Sequence, residues 1–249
     1  MKNLNDAWYK CWFNTSYYHT LYKNRNNEEA ALFLDKLVAH LKLTPNSSVW
    51  DMACGKGRHT TYLAKKGFNS FGTDISENSI AEASQQITTN YPSLHFFVHD
   101  MRNPLRINYF DCVLNIFTSL GYFENDRDDE RVFQSAFQSC KSGGYVVVDF
   151  LNAIKVLNHL VPEEKKTESG IEFNIKRKLE NNSFKKEISF FADGQDWNFE
   201  ESVKAYKKED LLRMAIKAGF SGQEFFGNYN LDTFDEINSD RLILILRKV

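Results

Sequence analysis

The chain has 249 residues, of which 42% are apolar and 26% are charged, and its formal net charge is −2 at pH 7. This composition excludes a disordered or low-complexity chain, and the length allows a core large enough to fold without disulfide or metal crosslinks. The chain has no basic excess and no long basic run, unlike most nucleic-acid-binding proteins, so we predict no nucleic-acid partner.

The sequence carries no recognisable metal-binding or targeting pattern. Its four cysteines, at positions 11, 54, 112 and 140, are too widely spaced for a CxxC or a Cys/His metal motif, so no metal is predicted. The first six residues lack the apolar run of a signal peptide, and the apolar run from Leu242 to Leu246 is too short to span a bilayer. We therefore expect a cytoplasmic protein without a membrane partner.

Residues 1–44 begin with an aromatic segment and continue as a helix. Aromatic side chains crowd residues 8–22, and we expect this segment to pack on the body of the protein. Apolar residues recur at helical spacing between Glu28 and Leu41, and Pro45-Asn46 ends that helix. The two parts together are predicted to form an aromatic and helical lid.

Short apolar strands alternate with helices from residue 48 to residue 150. The strands are predicted over residues 48–50, 68–73, 94–98, 111–117 and 144–150. Ser76 is expected to cap the helix that follows the second strand. Strands that are apolar almost throughout are typical of parallel sheets buried on both faces.

The pattern changes after residue 150. Apolar and polar residues alternate over 171–175 and 197–203, and a further strand is predicted over 184–191. This pattern predicts a three-stranded antiparallel insert with one solvent-exposed face. A helix over 211–216, ended by Gly219, and strands over 220–226 and 241–248 complete the chain.

These elements predict the α/β class, with a Rossmann-like doubly wound, mostly parallel seven-stranded sheet. Residues 1–155 and 206–249 are expected to form this domain. Residues 160–205 are expected to form the antiparallel β insert that covers the substrate site.

Polar side chains are predicted at the carboxyl ends of four strands, where open α/β sheets bind their ligands. They are Asp51, Asp74, Asp100 and Asn115. The loop over residues 51–59 contains glycines that let a ligand approach the backbone, and it leads into a helix whose first amides attract anions. This edge of the sheet is the predicted ligand site.

Two kinds of nucleotide ligand compete for such a loop. A dinucleotide calls for G-x-G-x-x-G, but counting from Gly55 and Gly57 the third glycine position holds Thr60. Asp51 would repel a diphosphate and attract the ammonium and sulfonium groups of S-adenosylmethionine. Asp74 suits a ribose, because one carboxylate can accept hydrogen bonds from both hydroxyl groups.

Five segments between residues 45 and 150 resemble the class I S-adenosylmethionine-dependent methyltransferases, and they are specific as a set. They are residues 49–57 (VWDMACGKG), 72–76 (GTDIS), 99–102 (HDMR), 110–115 (FDCVLN) and 141–144 (KSGG). Residues 17–25 and 117–123 resemble the small-molecule branch of that family. Its members often carry a β insert between the fifth strand and the last helix.

The resemblance implies S-adenosylmethionine as the cofactor and a role for each strand-end residue. Asp51 would hold the amino group of the cofactor, and Asp74 the ribose hydroxyls. Asp100 would accept from the adenine amino group, with Met101 packed on the ring. The implied cofactor-binding set is Tyr18, Arg25, Asp51, Ala53, Gly55, Gly57, His59, Asp74, Ile75, Asp100, Met101 and Asn115.

Four of these residues have further implied positions. Asn115, together with Phe117, would line the methyl-transfer face. Tyr18 and Arg25 would close over the cofactor, with Arg25 on its carboxylate. His59 either supports the site or simply belongs to the first turn of its helix.

The implied reaction is methyl transfer to an oxygen or nitrogen nucleophile of a small molecule by in-line displacement, where alignment supplies most of the catalysis. Asn115 is not followed by the Pro-Pro-aromatic motif of DNA amino methyltransferases, and a Pro-Cys nucleophile for cytosine methylation is absent. No histidine has a spacing that marks it as a general base.

Two alternatives stay open at this point. One is a module that binds S-adenosylmethionine or its product without catalysis, and the other is a nicotinamide-dependent oxidoreductase, which Thr60 and Asp51 disfavour. For the expected small-molecule pocket, the possible walls are Tyr122, Phe150, Asn152 and Tyr229. The sequence predicts neither the methyl acceptor nor the oligomeric state.

Overall fold

The computed structural model of the chain describes residues 8–23 and 27–249. The helices are α1 (Trp8–Trp12), α2 (Ser16–Leu21), α3 (Asn27–Leu41), α4 (Arg58–Lys65), α5 (Glu77–Ser84), α6 (Asp126–Ser139), α7 (Ala153–Asn158) and α8 (Lys208–Ala218). The strands are β1 (Ser48–Met52), β2 (Asn69–Asp74), β3 (Leu94–Val98), β4 (Phe110–Asn115), β5 (Cys140–Leu151), β6 (Glu163–Glu168), β7 (Ile171–Glu180), β8 (Ser183–Ala192), β9 (Gln195–Lys204), β10 (Gly222–Phe226) and β11 (Arg241–Arg247).

Across the described residues, the larger sheet has seven strands in the order β10-β11-β5-β4-β1-β2-β3. The pairs among β1 to β5 are parallel, and β11 runs antiparallel to both β5 and β10. The predicted α/β class and mostly parallel seven-stranded sheet are confirmed. Strand order reverses between β1 and β4, and ligands bind at such a switch point.

The second sheet has four strands within the described part of the chain, in the order β6-β7-β8-β9. The sequence predicts three, and it misses β6 because Glu163–Glu168 is a charged edge segment without apolar alternation. Its backbone pairs with β7, and Arg177 in β7 forms a salt bridge with Glu164. Edge strands are commonly charged, since charge discourages pairing with other chains.

The N-terminal helices pack on one face of this second sheet. Trp12 and Leu21 are buried in a cluster with Phe173 and Ile175 of β7 and with residues of β8. Trp12 Nε1 and the Tyr22 hydroxyl also donate hydrogen bonds of 2.7 and 2.8 Å to Glu201 of β9. The aromatic N-terminal segment is thus held against the β insert.

Local sequence sets several helix boundaries. Ser76 caps α5 by accepting a hydrogen bond from the Ser79 amide, as predicted. Gly219 follows α8 with φ of 113°, in the left-handed region that glycine adopts without strain. Within the described residues, the helices are either too short or too polar to cross a membrane.

Candidate active site

A cavity of about 460 Å³ opens at the carboxyl ends of β1, β2 and β3, beside the switch point. This volume lies in the range of small-molecule and cofactor sites. The strand-end part of its wall comprises Asp51, Ala53, Cys54, Gly55, Lys56, Arg58, His59, Asp74, Ile75, Ser79, His99, Asp100, Met101, Ile116, Phe117 and Ser119. The remaining wall comprises Tyr9, Phe13, Tyr18, His19, Tyr22, Lys23, Tyr122 and Phe123.

Asp51 is a buried carboxyl group at the floor of the cavity. Its Oδ2 accepts a hydrogen bond of 2.7 Å from the Thr60 hydroxyl in α4. Burial raises the pKa of Asp51 to about 7, although the Thr60 hydrogen bond and the Arg58 charge oppose that rise. A cation placed beside this group favours its ionised form, because opposite charges at short range stabilise each other.

Asp74, the last residue of β2, is fixed by backbone amides on both of its oxygens. Its Oδ2 accepts from the Gly55 amide at 2.8 Å, and its Oδ1 accepts from the Ser76 amide at 2.8 Å. Burial raises its pKa, and hydrogen bonds from the Ser76, Gly55 and Ile75 amides oppose the rise. The carboxylate therefore has a defined orientation, with lone pairs left over for a ligand in the cavity.

Asp100 lies two residues beyond β3 and is paired with Arg102. Arg102 Nη2 donates to Asp100 Oδ2 at 2.6 Å, and the Arg102 amide donates to Oδ1 at 3.0 Å. Although partial burial raises the pKa of Asp100, the hydrogen bonds from Arg102 hold it below its usual value. Asp100 is therefore a carboxylate at neutral pH, and the adjoining Met101 borders the same cavity.

A stack of three side chains forms the wall next to Asp51. The ring of His59 stacks on Phe117 with centroids 5.2 Å apart, and the Arg58 guanidinium lies 4.2 Å from the Phe117 centroid. Arg58 Nε donates to His59 Nε2 at 3.1 Å, so that nitrogen is unprotonated and acts as the acceptor. Phe117 itself has a positive φ of 64°.

The structure brings nine of the twelve sequence-predicted cofactor residues, together with Phe117, onto one cavity wall. The nine are Tyr18, Asp51, Ala53, Gly55, His59, Asp74, Ile75, Asp100 and Met101. Arg25 lies outside the described residues. The roles assigned to these residues in binding remain predictions.

Gly57 and Asn115 are described but do not border the cavity. Gly57 precedes α4 and faces the ring of Phe96. Asn115 is buried, and its Nδ2 lies 3.5 Å from the sulfur of Met101, which borders the cavity.

Of the four possible substrate walls, Tyr122 alone borders the described cavity. Phe150 is fully buried in the core, and Asn152 caps α7. Tyr229 packs against Phe117 and donates to Asp149 at 3.1 Å.

Several cavity residues are missed by motif comparison. Tyr9 and Phe13 lie four residues apart, and Tyr22 lies four residues beyond the predicted Tyr18, so each pair projects from one side of its helical segment. This spacing is the signal that places them together. Arg58 is the first residue of α4, and its charge beside Asp51 suits it to a ligand that carries both an ammonium and a carboxylate group.

The donor and acceptor set fits S-adenosylmethionine. Acidic acceptors suit the ammonium group, the ribose hydroxyls and the adenine amino group, and the cavity has the volume of a cofactor site. A diphosphate fits poorly, because Asp51 and Asp74 border the Gly55 loop where it would lie.

Comparison with known proteins agrees with the fold. Residues 49–144 match the family described as "Methyltransferase domain". A Geobacillus protein provisionally named a methyltransferase is 24% identical over 209 residues, which cover 80% of this chain and 84% of that protein.

Two further relatives have more specific names. A dTDP-3-amino-3,4,6-trideoxy-alpha-D-glucopyranose N,N-dimethyltransferase of Streptomyces venezuelae is 28% identical over 133 residues, which cover 53% of this chain and 54% of that enzyme. The crystal structure of an S-adenosylmethionine-dependent methyltransferase from Clostridium acetobutylicum superimposes with a TM-score of 0.77. That likeness covers 93% of this chain and 95% of the other at 19% identity, and it shows a common fold.

Residues 49–144 thus form a methyltransferase domain. With this domain and a fold shared with solved S-adenosylmethionine-dependent methyltransferases, the chain has the architecture of that class of enzyme.

Proposed function

We propose that this enzyme methylates an oxygen or nitrogen atom of a small molecule, with the cofactor bound across the ends of β1, β2 and β3. When bound, S-adenosylmethionine would supply a sulfonium methyl group for attack by a nucleophile, with S-adenosylhomocysteine leaving as a neutral thioether. In this proposal Asp51 holds the ammonium group, Asp74 the ribose hydroxyls and Asp100 the adenine amino group. Free thiols at all four cysteines, each within the described residues, support a cytoplasmic location.

The composition of the cavity wall carries the small-molecule proposal. The strand-end part of the wall contains Asp51, Asp74 and Asp100, whereas the remaining part is mainly aromatic residues of the N-terminal segment together with Tyr122 and Phe123. Such a wall suits an apolar or ring-shaped acceptor. Because one relative is named an aminosugar N,N-dimethyltransferase, amines are the first acceptors to test.

The cavity wall contains three histidines, His19, His59 and His99, and the contacts of two of them do not arrange them as a general base. His59 accepts from Arg58, and His99 Nε2 lies 2.8 Å from the carbonyl oxygen of Asn103. An amine that is already neutral needs no base before attack, whereas a hydroxyl group does. The chain's own contribution is therefore alignment of the acceptor, and this favours nitrogen over oxygen.

An acceptor panel tests this proposal. Purified enzyme is incubated with S-adenosylmethionine and with amines, aminosugars, phenols and carboxylates, and release of S-adenosylhomocysteine is measured. We expect turnover with at least one small amine or hydroxyl compound, and turnover at least about tenfold slower with the Asp74→Ala variant at subsaturating cofactor. If the cofactor binds but every acceptor fails, while a protein or nucleic-acid substrate is methylated, the small-molecule assignment is wrong.

The affinity for S-adenosylmethionine is expected to depend on pH through Asp51. The free protein binds a proton at this group below a pKa of about 7, and that proton must leave before the carboxylate can pair with the ammonium group. Affinity should fall by about tenfold per pH unit as the pH drops below that pKa. At the other end it should weaken above about pH 8, where an α-amino group loses its proton.

Calorimetric titrations from pH 5.5 to 8.5 measure this profile. The Asp51→Asn variant should bind more weakly at neutral pH, and its affinity should be nearly flat below pH 7. An equal acid slope in the wild type and in Asp51→Asn would contradict the assignment, because the slope would then belong to another group.

A further inference from the structure

The segment that follows β4, residues 116–123, has a strained backbone and borders the cavity; we name it the β4 loop. Ile116, Phe117, Ser119, Tyr122 and Phe123 all contribute to the cavity wall. Phe117 and Thr118 have φ values of 64° and 58°, in the left-handed region that residues with a side chain rarely adopt. Two consecutive residues of this kind persist only where surrounding contacts impose the conformation.

A buried carboxylate imposes it at the first end of the loop. Asp149 in β5 is fully buried, and its Oδ2 accepts from the Phe117 amide at 2.9 Å. The Thr118 amide donates to the Asp149 carbonyl at 2.9 Å. Both strained residues are therefore tied to one residue of the neighbouring strand.

Arg241 of β11 completes this anchor from the far side of β5. Its Nε donates to Asp149 Oδ1 at 2.7 Å, and its Nη2 donates to the Thr118 hydroxyl at 2.8 Å. The Tyr229 hydroxyl supplies another hydrogen bond to Asp149 Oδ2. The guanidinium thus bridges the buried carboxylate and the loop, and its fork geometry allows both contacts at once.

A second buried carboxylate holds the other end of the loop. Asp129 in α6 accepts from the Gly121 amide at 2.8 Å and from the Tyr206 hydroxyl at 2.9 Å. The Gly121 carbonyl accepts from the Lys204 amide at 2.8 Å, which links the loop to the end of the β insert. The β4 loop is thus fixed at both ends by groups that lie outside the cavity.

We propose that Asp149 and Arg241 are positioning residues, which hold Phe117 and Thr118 in the conformation that aligns the acceptor with the methyl group. The inference rests on the proposed function, because it assigns the β4 loop to the acceptor side of that site. Asp149 and Arg241 do not border the cavity themselves, so they act through the loop. Their loss should impair turnover more than cofactor binding.

The pair of variants Thr118→Val and Thr118→Ser tests this inference without leaving a buried charge unpaired. Valine keeps the branched shape but loses the hydroxyl that Arg241 contacts, whereas serine keeps the hydroxyl. For Thr118→Val we expect kcat to fall by about tenfold or more, since misalignment of this kind is costly. The affinity for S-adenosylhomocysteine should stay within about twofold of the wild type, and Thr118→Ser should restore most of kcat.

Amide hydrogen exchange in the cofactor-free protein gives a readout that does not depend on activity. The peptide covering the β4 loop should exchange faster in Thr118→Val than in Thr118→Ser, with peptides of β4 and β5 unchanged. Equal exchange in the two variants, or an unchanged kcat with weakened cofactor binding, would overturn the inference. Absence of turnover by the wild type with every acceptor would instead count against the proposed function, while the exchange result would still decide whether Arg241 holds the loop.

Discussion

Replacing Asp74 by alanine is expected to weaken the binding of S-adenosylhomocysteine by roughly 10- to 150-fold, the range for loss of a hydrogen bond to a charged group. The proposed ribose contact would be lost, and so would the acceptor that holds the Gly55 and Ser76 amides. Isothermal titration calorimetry measures the change. Glu77→Gln is the matched control. Glu77 is exposed in the first turn of α5, and its substitution removes one negative charge close to Asp74 without touching the carboxylate that faces the cavity.

The ligand can be varied as well, to separate a ribose contact from a distorted loop. A deoxy analogue of S-adenosylhomocysteine lacks one ribose hydroxyl. The Asp74→Ala substitution should weaken the binding of this analogue less than it weakens the binding of S-adenosylhomocysteine. The difference is the coupling between the carboxylate and that hydroxyl. Equal losses for both ligands, or an affinity of Asp74→Ala within about twofold of the wild type, would remove the ribose assignment.

Replacing Gly57 by alanine is expected to destabilise the folded protein by about 2–5 kcal/mol, the sum of overpacking and left-handed strain. Gly57 has φ of 75°, and a Cβ built there would lie 2.4 Å from ring carbons of Phe96. That ring cannot move away easily, because Gly72 borders it from β2, where a Cβ would lie 2.6 Å from it. Urea unfolding of the cofactor-free protein measures the free energy of unfolding.

Gly143→Ala is the control for the conformational part of this cost. Gly143 has φ of 79°, but a Cβ built there has no neighbour within 4 Å. Its substitution should cost only about 1–2 kcal/mol, the penalty for a left-handed residue with a side chain. If Gly57→Ala proves no more destabilising than Gly143→Ala, that result contradicts the claim that Phe96 leaves no room for a side chain at position 57.

The acidic residues of the site could be predicted from the sequence because their positions follow from strand ends. Asp51, Asp74 and Asp100 each fall at or just beyond the carboxyl end of a short apolar run, and parallel pairing brings those ends to one edge. The strands of the large sheet and its helices could also be predicted from the sequence. An element that is buried on one or both faces needs apolar residues at regular positions along its whole length. That pattern can be recognised in the sequence.

Other features depend on contacts between distant segments and could not be read from spacing. Asn115 is two residues from Phe117, yet it is buried and does not border the cavity, whereas Phe117 does. The charged strand β6 forms through backbone pairing with β7, and the pattern of its side chains does not predict that pairing. The anchor of the β4 loop joins Asp149 and Arg241, 92 residues apart, and only the pairing of β5 with β11 brings them together.

A crystal structure of the enzyme with S-adenosylhomocysteine tests the central claim most directly. The ribose hydroxyls should lie within hydrogen-bonding distance of both Asp74 oxygens, with the amino group beside Asp51 and the adenine ring against Met101. The ligand's sulfur should face Phe117 and Tyr122. A ligand found elsewhere on the protein, or bound with its ribose away from Asp74, would contradict the account.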